Sequence, residues 1–179
     1  MEIKTEEYLK SKIRTVPNFP KKGIMFKDIT TLIQDPEALK TVILEMKKIC
    51  SDKKIDIIVG IESRGFIFGS ILAHELGVGF VPVRKRGRLP ASKMAVEYEK
   101  EYGMDAVEIH KDSIRKGENV LIVDDLLATG GTAVATTKLI EKTGGSIIGL
   151  LFLIELSFLN GRKKLDKYNI YSMVKYDKD

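Results

Sequence analysis

The chain has 179 residues, with 30 Lys and Arg against 25 Asp and Glu and a formal net charge of +5. That length predicts one domain spanning 1–179, and 44% hydrophobic with 31% charged residues excludes a disordered chain. A single cysteine, Cys50, excludes an intrachain disulfide and a multi-cysteine metal cage. The charged start MEIKTEEYLK is not a secretory signal, and the longest apolar run, Ile147 to Ile154, is far short of the roughly 20 residues of a bilayer span. The expectation is a soluble, cytoplasmic protein with no membrane partner.

Residues 1–34 place Pro17, Pro20 and Gly23 between short apolar pieces, the pattern of an irregular cap outside the main fold. Asp35-Pro36-Glu37 then opens a helix: a capping acid, proline at the first helical position, and a second acid near the positive end of the dipole. Leu39, Val42, Ile43, Met46, Ile49 and Cys50 share one face of it, so Cys50 reads as a small core residue and not a nucleophile. Ile55–Gly60 reads as a strand, Arg64 to Leu76 as a helix stopped by Gly77, and residues 85–105 as a long, flexible, polar lid loop with Gly87, Pro90 and Gly103. Val120–Val123 is a second strand, a helix follows from near Gly131 to before Gly144-Gly145, and Ile147–Ile154 is a third strand. Near-continuous apolar strands suit a sheet covered on both faces. The predicted class is α/β: an open, mostly parallel sheet flanked by helices (35–179), an N-terminal hood (1–34) and a lid (85–105). Ligands are expected at the carboxyl ends of the strands.

Val120–Thr132, VLIVDDLLATGGT, carries the clearest chemistry. A strand runs into Asp124-Asp125, and Ala128, Thr129, Gly130, Gly131 and Thr132 follow at a helix start. Glycines let the backbone approach an anion, the helix N-terminus offers unpaired N–H groups, and the threonines add hydroxyl donors. The paired acids could accept from sugar hydroxyls or help hold hydrated Mg²⁺. The bland alternative is a plain strand–turn–helix with solvated acids. No Gly-Lys-Ser/Thr follows, so this is not a Walker A loop, and no G-x-G-x-x-G fingerprint is present.

This stretch resembles the phosphoribosyl-pyrophosphate signature of the type I phosphoribosyltransferases. Further blocks resemble the adenine-using branch of that family: Phe19-Pro20 with Gly23 to Ile29, Glu62 to Phe66, Arg84 to Pro90, Glu101-Tyr102-Gly103, and Glu155-Leu156 with Leu159 to Arg162. They run from near residue 17 to near 162 in the family's order. The resemblance implies purine salvage: adenine and phosphoribosyl pyrophosphate giving AMP and pyrophosphate, with Mg²⁺.

It also implies roles. Ala128 to Thr132 would hold the 5′-phosphate, and Asp124 and Asp125 the ribose hydroxyls. Glu62, Ser63, Arg64, Arg84, Lys85 and Arg88 would meet pyrophosphate, with Glu62–Ser63 a cis peptide. Arg88 stands where the family often has lysine, and part of the basic cluster would act across a homodimer interface. Glu101 matches a general acid/base, although Glu97, Glu99 and Glu101 also read as a simple alternating charge run. Phe26 would stack on the purine, backbone groups of Met25 and Lys27 would read its edge, and Leu156 would close its other face. Ile61–Gly65 resembles a serine-hydrolase elbow but has Ile61 where glycine is required. His74 and His110 lack ligand-like spacing and are read as non-catalytic. Two rivals are a transferase for another purine and a non-enzymatic phosphoribosyl-pyrophosphate sensor. The sensor would need a DNA-binding module, and no recognition-helix pattern is visible, so no nucleic-acid partner is expected.

Overall fold

The computed structural model describes residues 3–100 and 103–178. In chain order the elements are α1 (Ile3–Lys12), β1 (Arg14–Pro17), β2 (Met25–Asp28), α2 (Thr30–Gln34), α3 (Pro36–Cys50), β3 (Ile57–Ile61), α4 (Gly65–Leu76) and β4 (Gly79–Lys85). There follow β5 (Lys93–Lys100), β6 (Gly103–His110), β7 (Asn119–Leu127), α5 (Gly131–Thr143), β8 (Ser146–Leu156), two short 3₁₀ turns, and β9 (Ile170–Tyr176). The main sheet has the order β5-β6-β4-β3-β7-β8-β9. Strands β4, β3, β7, β8 and β9 are mutually parallel, and the β5–β6 hairpin joins β4 antiparallel.

The apolar runs are continuous because each strand feeds two cores. Ile58, Leu121 and Leu151 face one side, with α3, α4 and the hood, while Val59, Ile122 and Leu150 face the other, with α5. Asp35 caps α3 by accepting from the Glu37 and Ala38 amides at 3.0 and 3.1 Å. Cys50 is buried in the first core, and burial pushes its thiol up to about 11, as expected of a packing residue. Gly77 and Gly144 end α4 and α5. No helix among the described residues is long and apolar enough to cross a membrane.

Three segments differ from expectation. The strand predicted at Val120–Val123 runs on to Leu127, so both acids lie within β7 and not beyond it. The hood is not irregular: α1, a β1–β2 hairpin pairing Arg14 with Asp28 and Pro17 with Met25, and α2 build it outside the main sheet. Its helix α1 docks on β9, where the Glu6 carboxylate accepts from the Lys175 amide at 3.0 Å. The lid is not a long loop either. Only 86–92 separates β4 from β5, and β5 and β6 pair in full antiparallel register from Lys93–His110 to Lys100–Gly103. Met94, Val96 and Tyr98 turn inward while Ala95, Glu97 and Glu99 are exposed. The alternating charges are therefore one face of a strand, and Val96, Val107 and Ile109 hold the hairpin to the second core. Glu101 and Tyr102 lie outside the described residues.

Candidate active site

Two strand-to-helix turns meet at the carboxyl ends of β3 and β7. Between β3 and α4 the chain turns through Glu62-Ser63-Arg64, with a cis peptide between Glu62 and Ser63. The helix α4 begins almost in contact with β7: a methyl group on Gly65 would lie 2.7 Å from the Val123 carbonyl oxygen and 2.9 Å from Asp124 Oδ1. Only glycine lets the helix start there. At the second turn, Gly130 caps α5 with φ of +80° in the left-handed region, where other residues are strained. Residues 128–132 thereby wrap the N-terminus of a 13-residue helix.

A cavity of about 270 Å³ joins the two turns and is lined by Glu62, Ser63, Arg64, Asp124, Asp125 and all of Ala128 to Thr132. Lys85 and Tyr98 complete its wall. Burial and the neighbouring charge of Asp125 push the Asp124 carboxyl well above the usual carboxylate range. Burial also raises Asp125, against the pull of Arg64, whose Nε lies 2.9 Å from Asp125 Oδ2. That oxygen is buried, and apart from this ion pair it accepts no directed hydrogen bond among the described residues.

The basic cluster is drawn to one carboxylate. Glu62, nearly buried, accepts from Arg84 Nε at 3.0 Å, the Lys85 amide at 2.8 Å and Arg88 Nη1 at 2.7 Å. Arg84 and Arg88 thus rest on Glu62, Lys85 faces the cavity, and Arg86 pairs with Glu97. The hood reaches the site through Phe26: the Arg64 guanidinium covers its ring at 5.3 Å, and Phe19 packs edge-on at 5.1 Å. Lys27 turns its side chain away, donating to Thr15 Oγ1 at 3.2 Å and lying over the Tyr176 ring at 4.4 Å. Met25 and Lys27 are two apart in β2, so their backbone groups share one edge of a two-stranded hairpin. Leu156 ends β8 half-buried against the first core and is not among the residues lining the cavity. Neither histidine lines the cavity.

Tyr98 is a wall residue that motif reading passes over. The Thr132 hydroxyl donates to the Tyr98 hydroxyl at 3.2 Å, which donates to Asp105 at 3.3 Å. Its ring packs 3.4 Å from where a Gly131 side chain would begin. The alternation Met94, Val96, Tyr98 is the signal that finds it.

Fold and site together define an α/β protein of the phosphoribosyltransferase class, and the phosphoribosyl transferase domain family matches residues 29–178. The adenine phosphoribosyltransferase of Acetivibrio thermocellus is 60% identical over 169 residues, covering 94% of this chain and 99% of the relative. The crystal structure of adenine phosphoribosyltransferase from Thermoanaerobacter pseudethanolicus superposes with a TM-score of 0.93 at 54% identity, covering 95% of this chain and 99% of that one. The Saccharomyces cerevisiae adenine phosphoribosyltransferase, solved with adenine and an imino-altritol bisphosphate, gives a TM-score of 0.90 at 43% identity, over 96% and 99% of the two chains. The chain belongs to the adenine phosphoribosyltransferase family.

Proposed function

We propose that this enzyme of purine salvage works through the residues gathered at the tips of β3 and β7. It transfers the 5-phosphoribosyl group from phosphoribosyl pyrophosphate to adenine, giving AMP and pyrophosphate. The observation that carries the assignment of roles is the single cavity shared by the Glu62–Arg64 turn, the paired acids and residues 128–132.

The reaction must bind a highly charged sugar phosphate, stabilise positive charge growing on the ribose ring and let pyrophosphate leave. Ala128, Thr129, Gly130, Gly131 and Thr132 hold the 5′-phosphate with amides at the start of α5 and two hydroxyls. Asp124 and Asp125 accept from the ribose hydroxyls, and their charge favours the cationic sugar. Arg64 and the Glu62–Ser63 backbone meet pyrophosphate, with Lys85 beside them. Arg84 and Arg88 are held near by Glu62 and supply further charge. Arg86 and Arg88, with side chains 60% and 58% exposed, are the members of the cluster open to a partner subunit, where part of it would act across a homodimer interface.

No cluster of three or more His, Cys, Asp or Glu among the described residues forms a metal cage. The paired carboxylates Asp124 and Asp125 on the cavity wall fit Mg²⁺, which keeps most of its waters and binds through one or two carboxylates plus substrate oxygens. Asp124 and Asp125 would hold it through water, and Mg²⁺ would neutralise charge on the leaving pyrophosphate. The free thiol Cys50 suits a reducing cytoplasm.

Adenine enters under the hood. Phe26 stacks on one face and Leu156 closes the other, while a carbonyl and an N–H from Met25 and Lys27 meet the 6-amino group and N1. Glu101 carries the proton near the purine. A 6-oxopurine would set oxygen against carbonyl and N1–H against N–H. A base panel with phosphoribosyl pyrophosphate and Mg²⁺ tests this. Adenine should exceed hypoxanthine and guanine by about 10⁴-fold in kcat/KM, the penalty for buried polar groups left unpaired. Comparable efficiency with hypoxanthine would overturn the reading.

A further inference from the structure

The segment after β8 takes no part in the chemistry above, yet its backbone presses on the phosphate cup. A methyl group on Gly161 would lie 2.1 Å from the Ala128 carbonyl oxygen, 2.9 Å from the Gly130 nitrogen and 3.0 Å from the Thr129 carbonyl carbon. From the other side, a methyl on Gly130 would lie 2.8 Å from the Gly161 carbonyl oxygen. These are backbone atoms and cannot swing aside as a side-chain tip would. At Gly161 the demand is for space alone, since its φ is outside the left-handed region.

The next residue anchors that contact. Arg162 reaches back seven residues to Glu155 with Nε–Oε1 at 2.8 Å and Nη2–Oε2 at 2.6 Å, a bidentate pair. Its remaining donors reach the Ile170 carbonyl at 3.0 Å and Ser172 Oγ at 3.2 Å. The Glu155 side chain is 4% exposed. In the β7–β8 register Glu155 lies opposite Leu127, the residue immediately before the cup. The clamp therefore ties the loop that touches the back of the cup to the strand beside its front.

We propose that Glu155 and Arg162 act as positioning residues that seat Gly161 against Ala128–Gly130 and so set the width of the 5′-phosphate cup. The proposal rests on the reading of Ala128–Thr132 as the 5′-phosphate site. A planar guanidinium fixes both distance and orientation, which a lysine ammonium does not. A structural staple joining β9 to β8 would use the same bonds, but would not distinguish one ligand group from another.

Two probes separate the two roles. Ribose 5-phosphate reads the cup, and inorganic pyrophosphate reads the Arg64 side of the cavity. Titration calorimetry of folded Gly161→Ala and Arg162→Lys should show ribose 5-phosphate weakened at least about tenfold, because small misplacements of a binding group are costly. Pyrophosphate affinity, and the KM for adenine at saturating phosphoribosyl pyrophosphate, should stay within about twofold. If Gly161→Ala does not fold, Arg162→Lys decides. Native ribose 5-phosphate affinity in the folded variant, or equal losses for both ligands, would overturn the clamp. Gly130→Val separates the underlying reading: if it loses ribose 5-phosphate while the clamp variants keep it, the clamp alone is wrong. If Gly130→Val itself binds ribose 5-phosphate normally, the cup and the clamp both fall.

Discussion

The cup at the β7–α5 junction and the β5–β6 hairpin face each other across one cavity, but they are held very differently. The cup is pinned on both sides. Its strand is paired with β3 and β8, and its glycines meet Gly161 on one side and Tyr98 and Glu99 on the other. The hairpin is an edge. Strand β5 pairs with β6, and β6 reaches the sheet through Arg84 opposite Glu108 and Lys85 opposite Val107. The difference teaches a division of labour. The ribose 5-phosphate end of the substrate is the same before and after transfer, and a fixed cup suits it. Pyrophosphate and purine come and go, and a hairpin joined to the sheet through two residue pairs is the part of the wall suited to that exchange.

The largest effect should come from damaging the fixed side. Gly130→Val places a β-branched residue at φ +80° and drives its side chain into Gly161. The expected loss in kcat/KM for phosphoribosyl pyrophosphate is at least a hundredfold, about 2.7 kcal/mol. Steady-state kinetics on folded protein would check it. Near-native kinetics would remove the cup from the mechanism and erase the contrast.

Asp124→Asn should cost about a hundredfold in kcat/KM, since the charge facing the cationic sugar is lost, and should separate activity from stability. Burial and Asp125 raise the Asp124 carboxyl in the folded protein. The folded state therefore binds this proton more tightly than the unfolded chain does. Its contribution to stability is fully present below the unfolded carboxylate value of about 3.9 and is lost as pH rises through the raised folded value. Asparagine removes that decline. At pH 7 the variant's Tm should rise above that of the native protein. Scans across pH should show a flatter profile than the native protein. A lowered Tm at pH 7 would mean that Arg64 already compensates the buried acids in full.

The same contrast explains what could be read from the residues. The cup was legible because strand, paired acids and the Thr-Gly-Gly-Thr helix start are contiguous, so one local pattern contains the whole device. Helix α3 was legible through Asp35, Pro36 and a single apolar face. The hairpin was not, because Gly87, Pro90 and Gly103 punctuate a polar stretch and its inward side chains alternate with charges that look like solvated surface. The hood's helix and hairpin were hidden in the same way by Pro17, Pro20 and Gly23. The Glu155–Arg162 clamp joins residues that meet only because two short turns fold the chain back, and the residue pattern gives no sign of that return.

The smallest expected effect lies where the two regions touch. Tyr98 belongs to the hairpin, yet its hydroxyl receives a hydrogen bond from Thr132 of the cup and gives one to Asp105 within the hairpin. Both bonds are long, at 3.2 and 3.3 Å, and neither joins charged partners on the cup side. Losing the Thr132 bond should cost about 1 kcal/mol, the net worth of an ordinary neutral hydrogen bond, or roughly fivefold. Tyr98→Phe keeps the ring against Gly131, so the loss should appear in the KM for phosphoribosyl pyrophosphate while kcat stays near native. The hairpin should also loosen in the free enzyme. Amide exchange in β5 beside Tyr98 should speed up severalfold, while amides beside the buried Val107 and Ile109 keep their protection. Binding both substrates should slow exchange in the native hairpin. A Tyr98→Phe loss as large as that of Gly130→Val would make the hairpin part of the cup. Unchanged KM and unchanged exchange would show that the Thr132 contact carries nothing between the two, and that the edge and the cup act independently.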